Sequence, residues 1–477
     1  MASSTRTPLT SLDELRQALD GIVTVRDDDL EIHDASGFRG GLIDRLVYTA
    51  VFGDGELRDA ARWLIRVAAP KLGAFPASIH DLYMAAPNGA YSNATAPAIN
   101  VRGLTYDMAR SILRAARANH AKIVLFELAR SEMSYTYQRP AEFASSVLAG
   151  AIKDGYQGPI FIQGDHYQAL AKKYAQDPEA EIAAVRNLAK EAIAAGYYNI
   201  DVDASTLVDL SQPTLKEQQE RNYVHTAELT ESIRQHEPEG ITVSIGGEIG
   251  EVGKHNSTVE DLHAFMGGYL LELQRWGETL GRDLPGISKI SVQTGTSHGG
   301  VVLPDGTIAS VNVDFDTLAA LSNAAREEYG IGGAVQHGAS TLPEEAFNRF
   351  AEANAIEVHL ATAFQNQLYD SAAFPADLKE RIYAHLAAKN ADERKPDQTD
   401  AQFYYTTRKR GFGPFKRELW DLPTETITTL MGELEQTYGL VMQRLGVAGS
   451  AQVVDAHIKP VNVPIPAPDA LKTAVTA

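Results

Sequence analysis

Four short segments of this sequence place histidine or acidic side chains beside glycine. Asp165 and His166 end the apolar run of "PIFIQGDHYQ", Glu248 lies in "IGGEIGEVG", and His298 and His337 lie in "TSHGG" and "VQHGAS". Three imidazoles with an open fourth position suit a catalytic zinc, and an added carboxylate suits a second metal position or another divalent ion. One histidine after a strand is more often a hydrogen-bonded loop residue, whereas three at corresponding strand ends favour a metal site.

The elements that must position these side chains lie between about 95 and 375. Short β-rich runs alternate there with longer helical ones; the β-rich runs are "PAINV", "KIVLFEL", "PIFIQG", "YNIDVD", "TVSIGGEI", "ISKISVQTG", "IGGAVQHG" and "AIEVHLA". Eight strands, each followed by a helical connection, predict an α/β protein with a (β/α)8 barrel rather than an open doubly wound sheet. The carboxyl ends of barrel strands meet at one rim, so the histidines and acids would converge there.

Other polar side chains lie at the ends of two more of these runs. Asp201, Asp203 and Ser205 lie in "NIDVDAS", and His359 and Thr362 lie in "VHLATAFQN". We expect one of the two aspartates to face the barrel and the other to face the helices. Asp203 is favoured as the functional one because Ser205 follows it.

The chain divides into three predicted regions. Residues 1–85 form a mostly helical N-terminal extension, 86–375 the barrel, and 376–477 a C-terminal extension. The last region contains the basic and aromatic stretch "FYYTTRKRGFGPFKRELWDLP", a helical pattern in "TETITTLMGELEQTYGLVMQRLG" and a Pro-rich tail.

Bulk composition narrows the class of protein. Of 477 residues, 44% are hydrophobic and 22% charged, and the net charge is −19. This acidity argues against a nucleic-acid or anionic-membrane binder, although a local pocket can still be positive. The absence of cysteine removes disulfides, thiolate nucleophiles and Cys-ligated zinc. With no signal-peptide pattern and no long apolar stretch, we expect a soluble, cytoplasmic protein.

Taken together, the segments resemble the class II, metal-dependent ketose-bisphosphate aldolases, the fructose- and tagatose-bisphosphate aldolase family. The resemblance covers about residues 95–375 and is carried by "APAINVRGLTYDMARSIL", "FIQGDHYQ", "NIDVDASTL", "GGEIGEVG", "GTSHGGVVLPDG", "VQHGAST" and "EVHLATAFQN". It is the number and order of these segments, rather than any single one, that make the match. The family implies a glycolytic lyase that converts fructose 1,6-bisphosphate to dihydroxyacetone phosphate and glyceraldehyde 3-phosphate.

The resemblance also implies roles for individual residues. Zn2+ would be bound by His166, His298 and His337, with Glu248 near the metal or at an alternative position; a second divalent or a monovalent cation is compatible with this arrangement. Zinc would polarise the ketone and stabilise an enediolate, replacing the lysine Schiff base of the other aldolase class. Asp165 would handle the proton on the aldehyde oxygen. The implied substrate-binding residues are Asn100, Asp203, Ser205, Gly299, Gly338, Ser340 and Thr362.

The proton-abstracting base departs from the family pattern. The glutamate that removes the substrate proton in the family aligns with Asn256 here. Glu251, His255 and Glu260 are candidate replacements, and Glu251 is taken as the catalytic candidate among them.

The phosphate-binding parts depart from the pattern as well. Val302 replaces a lysine after the first His-Gly segment, and His359 replaces an asparagine and is counted as catalytic. The serine of the second strand's phosphate loop is either Ser131 or Ser134. Cationic groups could come from "TTRKRGFGPFKR", in the same barrel or a partner's, and the alternative for that stretch is a solvated loop or an interface arm.

The expected partners are a phosphorylated sugar and further copies of the chain in a dimer or tetramer, with no nucleic acid or membrane. Two alternatives remain: an aldolase for another ketose phosphate such as tagatose 1,6-bisphosphate, or a non-catalytic, aldolase-like partner subunit. Asp165, His166, His298 and His337 weigh against the latter, since folding does not require all four.

Overall fold

A computed structural model gives the structure of most of the chain. The described residues are 6–250, 255–295, 303 and 312–472. Four positions of interest lie outside them, namely Glu251, His298, Gly299 and Val302.

Eight parallel strands form a closed barrel surrounded by helices, which confirms the predicted (β/α)8 fold. The strands are β1 (Ala96–Asn100), β2 (Leu125–Ala129), β3 (Gly158–Gln168), β4 (Asn199–Asp203), β5 (Ser244–Glu248), β6 (Lys289–Val292), β7 (Ala334–Gln336) and β8 (Glu357–Leu360). Each overlaps one of the predicted β-rich runs, and Gly158–Gln168 extends four residues beyond its run "PIFIQG". Neighbouring strands pair in chain order, β8 pairs with β1, and the ring includes the β3–β4 pairing in which Gln163 lies opposite Asn199.

Helices cover the outside of the barrel, so the strands are buried on both faces. Those between β1 and residue 375 are Thr105–Ala118, Arg130–Thr136, Pro140–Lys153, Ala171–Tyr174, Pro178–Ala195, Leu215–Gln218, Glu220–His236, Val259–Leu280, Phe315–Tyr329, Asn348–Glu352 and Thr362–Asp370. Local signals set their ends. Asp177 accepts a hydrogen bond from the backbone N–H of Ala180 where Pro178–Ala195 begins, and Gly196, at φ +98°, ends that helix.

The N-terminal region adds both helices and strands. Its helices are Leu12–Leu19, Ala35–Gly37, Ile43–Phe52, Gly55–Lys71 and His80–Ala85, with a π-helical turn at Phe38–Leu42. Strands Val23–Arg26 and Asp29–Ile32 form an antiparallel hairpin. A further strand, Ala74–Pro76, pairs in parallel with the amino end of β3. This pairing ties the region directly to the barrel.

The C-terminal region is helical and packs back on the rest of the chain. Its helices are Ala376–Lys389, Asp400–Thr407, Lys416–Trp420, Thr424–Arg444, Ala451–His457 and Asp469–Lys472. Thr424–Arg444 packs on Thr105–Ala118. In the Pro-rich tail, the Ile465 carbonyl accepts a hydrogen bond from Trp63 Nε1 at 2.8 Å, so the tail contacts the N-terminal region. Among the described helices, none is both long and apolar enough to cross a membrane.

Candidate active site

A β-bulge explains how Asp165 and His166 both reach the mouth of the barrel. Side chains of successive residues in a regular strand point to opposite faces. In β3, however, Gly164 lies opposite Ile200 and Tyr167 opposite Val202, so three steps on β3 match two on β4. His166 has a φ of +41° at this irregularity. Asp165 Oδ1 consequently lies 3.6 Å from His166 Nε2, on the same side of the strand.

Asp165, His166 and His337 form a donor set for a metal ion. One donor atom of each lies within 4.8 Å of the others. Asp165 Oδ1 is 3.8 Å from His337 Nε2, and the two imidazole ring centres are 4.1 Å apart. Two imidazole nitrogens and a carboxylate oxygen fit the ligand preference of Zn2+. His298, the third histidine implied by the family resemblance, lies outside the described residues.

Two carboxylates lie behind these imidazoles. Asp203 Oδ2 is 3.2 Å from His166 Nδ1, and Glu248 Oε2 is 3.6 Å from His337 Nδ1. Burial alone would raise the pKa of Asp203, but hydrogen bonds from His166 and Ser205 hold it below its usual value. Carboxylates in such positions orient metal-binding imidazoles. The structure therefore brings Asp203, Ser205 and Glu248 together around the histidines, while the assignment of Asp203 and Ser205 to substrate stays a prediction.

His359 lies between carboxylates of the barrel interior. Its Nδ1 is 3.1 Å from Asp165 Oδ1 and 3.3 Å from Glu127 Oε1, and its Nε2 is 2.6 Å from Glu357 Oε1. Burial alone would lower the pKa of His359, but the charges of Glu127 and Asp165 raise it well above its usual value. Burial likewise opposes ionisation of Asp165, yet His166 and His359 lower the pKa of that carboxyl. Both directions favour an ionised Asp165 beside a protonated His359.

Beneath His359, a buried lysine compensates the negative charge of the acidic side chains. Lys289, fully buried, donates to Gln163 Oε1 at 2.7 Å and lies 2.9 Å from Asp201 Oδ1; its ammonium also pairs with Glu357. Burial lowers the pKa of Lys289, but Asp201 and Glu357 outweigh it and raise that pKa. The sequence reasoning missed this network, although charged residues within apolar strands such as "KISV" and "EVHL" were a usable signal.

The network also corrects the expectation about β4. Asp201 lies 3.6 Å from His359 Nε2, and Asp203 lies behind His166, so both aspartates point into the barrel. The expectation that one of them faces the helices is wrong, because residues two apart in a strand share a face.

A cavity of about 630 Å3 opens above the donor set. The residues assigned from the sequence that line it are Asn100, Asp165, His166, His337, Gly338, Ser340, His359 and Thr362. Asn100 donates to Asp165 Oδ2 at 2.7 Å and to Glu132 Oε2 at 3.0 Å. Ser131 and Ser134 both line the cavity, so the choice between them stays open. The lining residues that the sequence reasoning did not assign include Arg102, Arg130, Glu132, Tyr135 and Lys173.

Of the three candidate bases, the structure describes His255 and Glu260, and neither reaches this cavity. His255 and Glu260 are exposed, and neither is among the described lining residues. Asn256 donates instead to Asp314 Oδ2 at 3.1 Å. Glu251 lies outside the described residues. The identity of the base therefore stays a prediction.

The protein is a closed (β/α)8 barrel, and its histidines and carboxylates converge at the carboxyl ends of the strands. These features define a barrel protein with a candidate metal centre. Residues 78–408 match the model of the family described as fructose-bisphosphate aldolase class-II. The chain belongs to this family, which confirms the family suggested by the sequence. Among curated proteins, none matches the chain.

Two solved structures are similar in fold, and a third is matched with a TM-score below 0.5. The fructuronate-tagaturonate epimerase from Cohnella laeviribosi is 12% identical, with a TM-score of 0.53, and the match covers 90% of each chain. A probable tagatose 6 phosphate kinase from Sinorhizobium meliloti 1021 is 16% identical, with a TM-score of 0.51, over 80% of this chain and 97% of the other. The fructose-bisphosphate aldolase from Campylobacter jejuni is 17% identical, with a TM-score of 0.43, over 79% and 96%. At these identities, the similarities concern the fold alone.

Proposed function

We propose that this protein is a zinc-dependent aldolase that cleaves and forms fructose 1,6-bisphosphate. The proposal rests on one observation above all: the nitrogen donors of His166 and His337 lie within 4.8 Å of each other and of an oxygen of Asp165, in a barrel of the class II family. When bound there, a zinc ion supplies a Lewis acid for the ketone oxygen. His166 and His337 would hold the ion with His298, and Asp203 and Glu248 would orient the two described imidazoles.

Asp165 is suited to handle the proton of the sugar C4 hydroxyl. In the cleavage direction, the C3–C4 bond breaks, its electron pair stays with C3, and the C4 hydroxyl gives up its proton as the aldehyde forms. An ionised Asp165 can accept that proton and return it in the condensation direction. His359 keeps this carboxyl ionised, and Asn100 donates to its other oxygen at 2.7 Å. His359 and Asn100 thus favour the ionised form of Asp165 and fix the orientation of its carboxylate.

The proposal includes a dimer or tetramer in the cytoplasm and leaves tagatose 1,6-bisphosphate as the alternative substrate. Metal analysis of the purified protein and a coupled cleavage assay on both bisphosphates test it. We expect stoichiometric zinc and turnover of fructose 1,6-bisphosphate at the higher kcat/KM. Bound zinc without turnover of any ketose phosphate would overturn the proposal and favour a non-catalytic subunit.

A further inference from the structure

The basic stretch of the C-terminal region divides into cations that stabilise the fold and cations that reach the cavity. Its members are Arg408, Lys409, Arg410, Lys416 and Arg417. Arg408 pairs with Asp370 at 2.8 Å, Lys416 pairs with Glu142 at 2.7 Å, and Arg417 pairs with Asp421 at 2.5 Å. Lys409 and Arg410, in contrast, line the same cavity as the metal donor set.

These two cations differ in how their charge is compensated. Arg410 Nε lies 2.7 Å from Glu393 Oε1, which neutralises it locally. Lys409 is half-buried, its Nζ lies 5.7 Å from the centre of the Tyr135 ring, and it forms no ion pair with a carboxylate of the described residues. Burial and the nearby charge of Arg102 lower the pKa of Lys409, and the charges of Glu132 and Glu393 offset only part of this effect. An anion beside it would relieve this unfavourable environment.

Most of the other cations in the cavity lining already have partners. Arg102 Nε is 2.6 Å from Glu132 Oε1, and Arg130 Nη1 is 2.6 Å from Glu181 Oε1. Lys173 is exposed, so water solvates its charge. Among the residues that the structure describes, Lys409 is therefore the cation that lines the cavity, is partly buried and forms no ion pair.

The backbone around Lys409 is anchored on both sides, which gives the side chain a defined position. Lys409 lies in a 3-10 turn at Arg408–Gly411. Before it, Arg408 is held by Asp370; after it, the Phe412 ring packs so closely on Gly103 that a Cβ there would come within 2.3 Å. The backbone N–H of Gly413 donates to the Tyr135 carbonyl at 3.0 Å. A cation on a backbone fixed in this way is preorganised for binding, so it favours ligands that place an anion at its position.

We propose that Lys409 binds the terminal phosphate of the sugar substrate, the phosphate remote from the ketone; this inference rests on the function proposed above. The cavity of about 630 Å3 has the volume of a small-molecule site, and both the donor set and Lys409 line it. Lys409 lies one residue beyond the family match, which ends at residue 408. The C-terminal extension would thus supply a specificity determinant from outside the part of the chain that matches the family.

Two substrates and two variants test this inference. Lys409→Met keeps the aliphatic stem against Tyr135 and removes the charge, while Lys395→Met, at an exposed lysine of the same region, is the matched control. We expect Lys409→Met to lower kcat/KM for fructose 1,6-bisphosphate about 10- to 100-fold, mainly through KM, as expected for the loss of a charged hydrogen bond. Activity on fructose 1-phosphate, which lacks the terminal phosphate, should change by less than about twofold for both variants.

The outcomes separate this inference from the proposed function. An equal loss on both substrates, or no loss on either, would overturn the role of Lys409 while leaving the aldolase proposal intact. Failure of the wild-type protein to cleave either substrate would contradict the aldolase proposal itself. Calorimetric titration with fructose 1,6-bisphosphate and with inorganic phosphate then provides a readout without turnover: binding equally strong in wild type and Lys409→Met would reject the phosphate site.

Discussion

His359 Nδ1 lies 3.1 Å from Asp165 Oδ1, and both side chains are buried at the mouth of the barrel. Together with His166, His359 lowers the pKa of Asp165 and so favours the ionised form of the carboxyl that we assign to proton transfer. Glu357 holds the opposite nitrogen at 2.6 Å, so the imidazole cannot turn without breaking a second contact. The His359 imidazole is therefore held in a fixed orientation beside the Asp165 carboxylate.

His359→Asn should slow the reaction without removing the metal. The variant removes the positive charge beside Asp165, and we expect kcat to fall by about 10- to 100-fold, within the range typical of general acid–base groups. Steady-state kinetics and metal analysis measure the two effects. His33→Asn, at an exposed N-terminal histidine, serves as the control. An unchanged kcat in His359→Asn would show that the pair has no part in proton transfer.

Asp165→Asn and His337→Ala should separate proton handling from metal binding. Asp165→Asn keeps the shape of the side chain but cannot accept a proton, so kcat should fall by about 100-fold or more while zinc stays bound. His337→Ala removes an imidazole donor, so zinc content and activity should be lost together. Loss of zinc in Asp165→Asn would instead identify Asp165 as a metal ligand.

Lys289→Met should strongly destabilise the barrel. The variant leaves the carboxylates of Asp201 and Glu357 without the buried ammonium, and breaking a buried ion pair in this way costs about 3–5 kcal/mol. Chemical denaturation followed by circular dichroism gives the free energy of unfolding. A change no larger than that of the exposed control Lys395→Met would mean that water or rearranged side chains compensate the acids.

Protonation of His80 should lower the free energy of unfolding in mild acid. Burial, followed by the charge of Arg234, lowers the pKa of His80 from 6.5 to about 4. Protons therefore bind the unfolded chain more readily, so the stabilising contribution is complete above pH 6.5 and is lost as pH falls towards 4. It amounts to at most ~3.5 kcal/mol, at ~1.4 kcal/mol per pKa unit.

The free energy of unfolding of wild type and His80→Leu, measured between pH 4.5 and 7.5, tests this prediction. The other histidines contribute to both curves, so the difference isolates His80. We expect the wild type to lose more stability on acidification than the variant. Parallel curves would show that His80 is accessible to protons in the folded state.

The barrel could be predicted because its signal is local. Each of the eight strands is an apolar run bounded by helical segments, and their number and order indicate the closed sheet before any coordinates are known. The proximity of His166 and His337 followed from the same logic, since strand ends of a barrel meet at one rim. The hairpin at Val23–Arg26 and Asp29–Ile32 was not predicted, because short strands carry weak periodicity.

Contacts between distant segments could not be predicted in the same way. The bulge that turns His166 towards the mouth depends on how β3 pairs with β4, and the charge of Asp165 depends on His359, 194 residues along the chain. Five neighbouring cations in the C-terminal stretch look alike in the sequence, yet the positions of Asp370, Glu142, Asp421 and Glu393 decide which of them are neutralised.

The sequence by itself therefore determined the strand count, the family and the residue types at the rim, because these depend on composition and order along the chain. Only the tertiary structure decided which charges surround Asp165 and that Lys409 lines the cavity. The physical reason is that electrostatic interactions depend on distance and burial, and both are set by segments that meet only after folding.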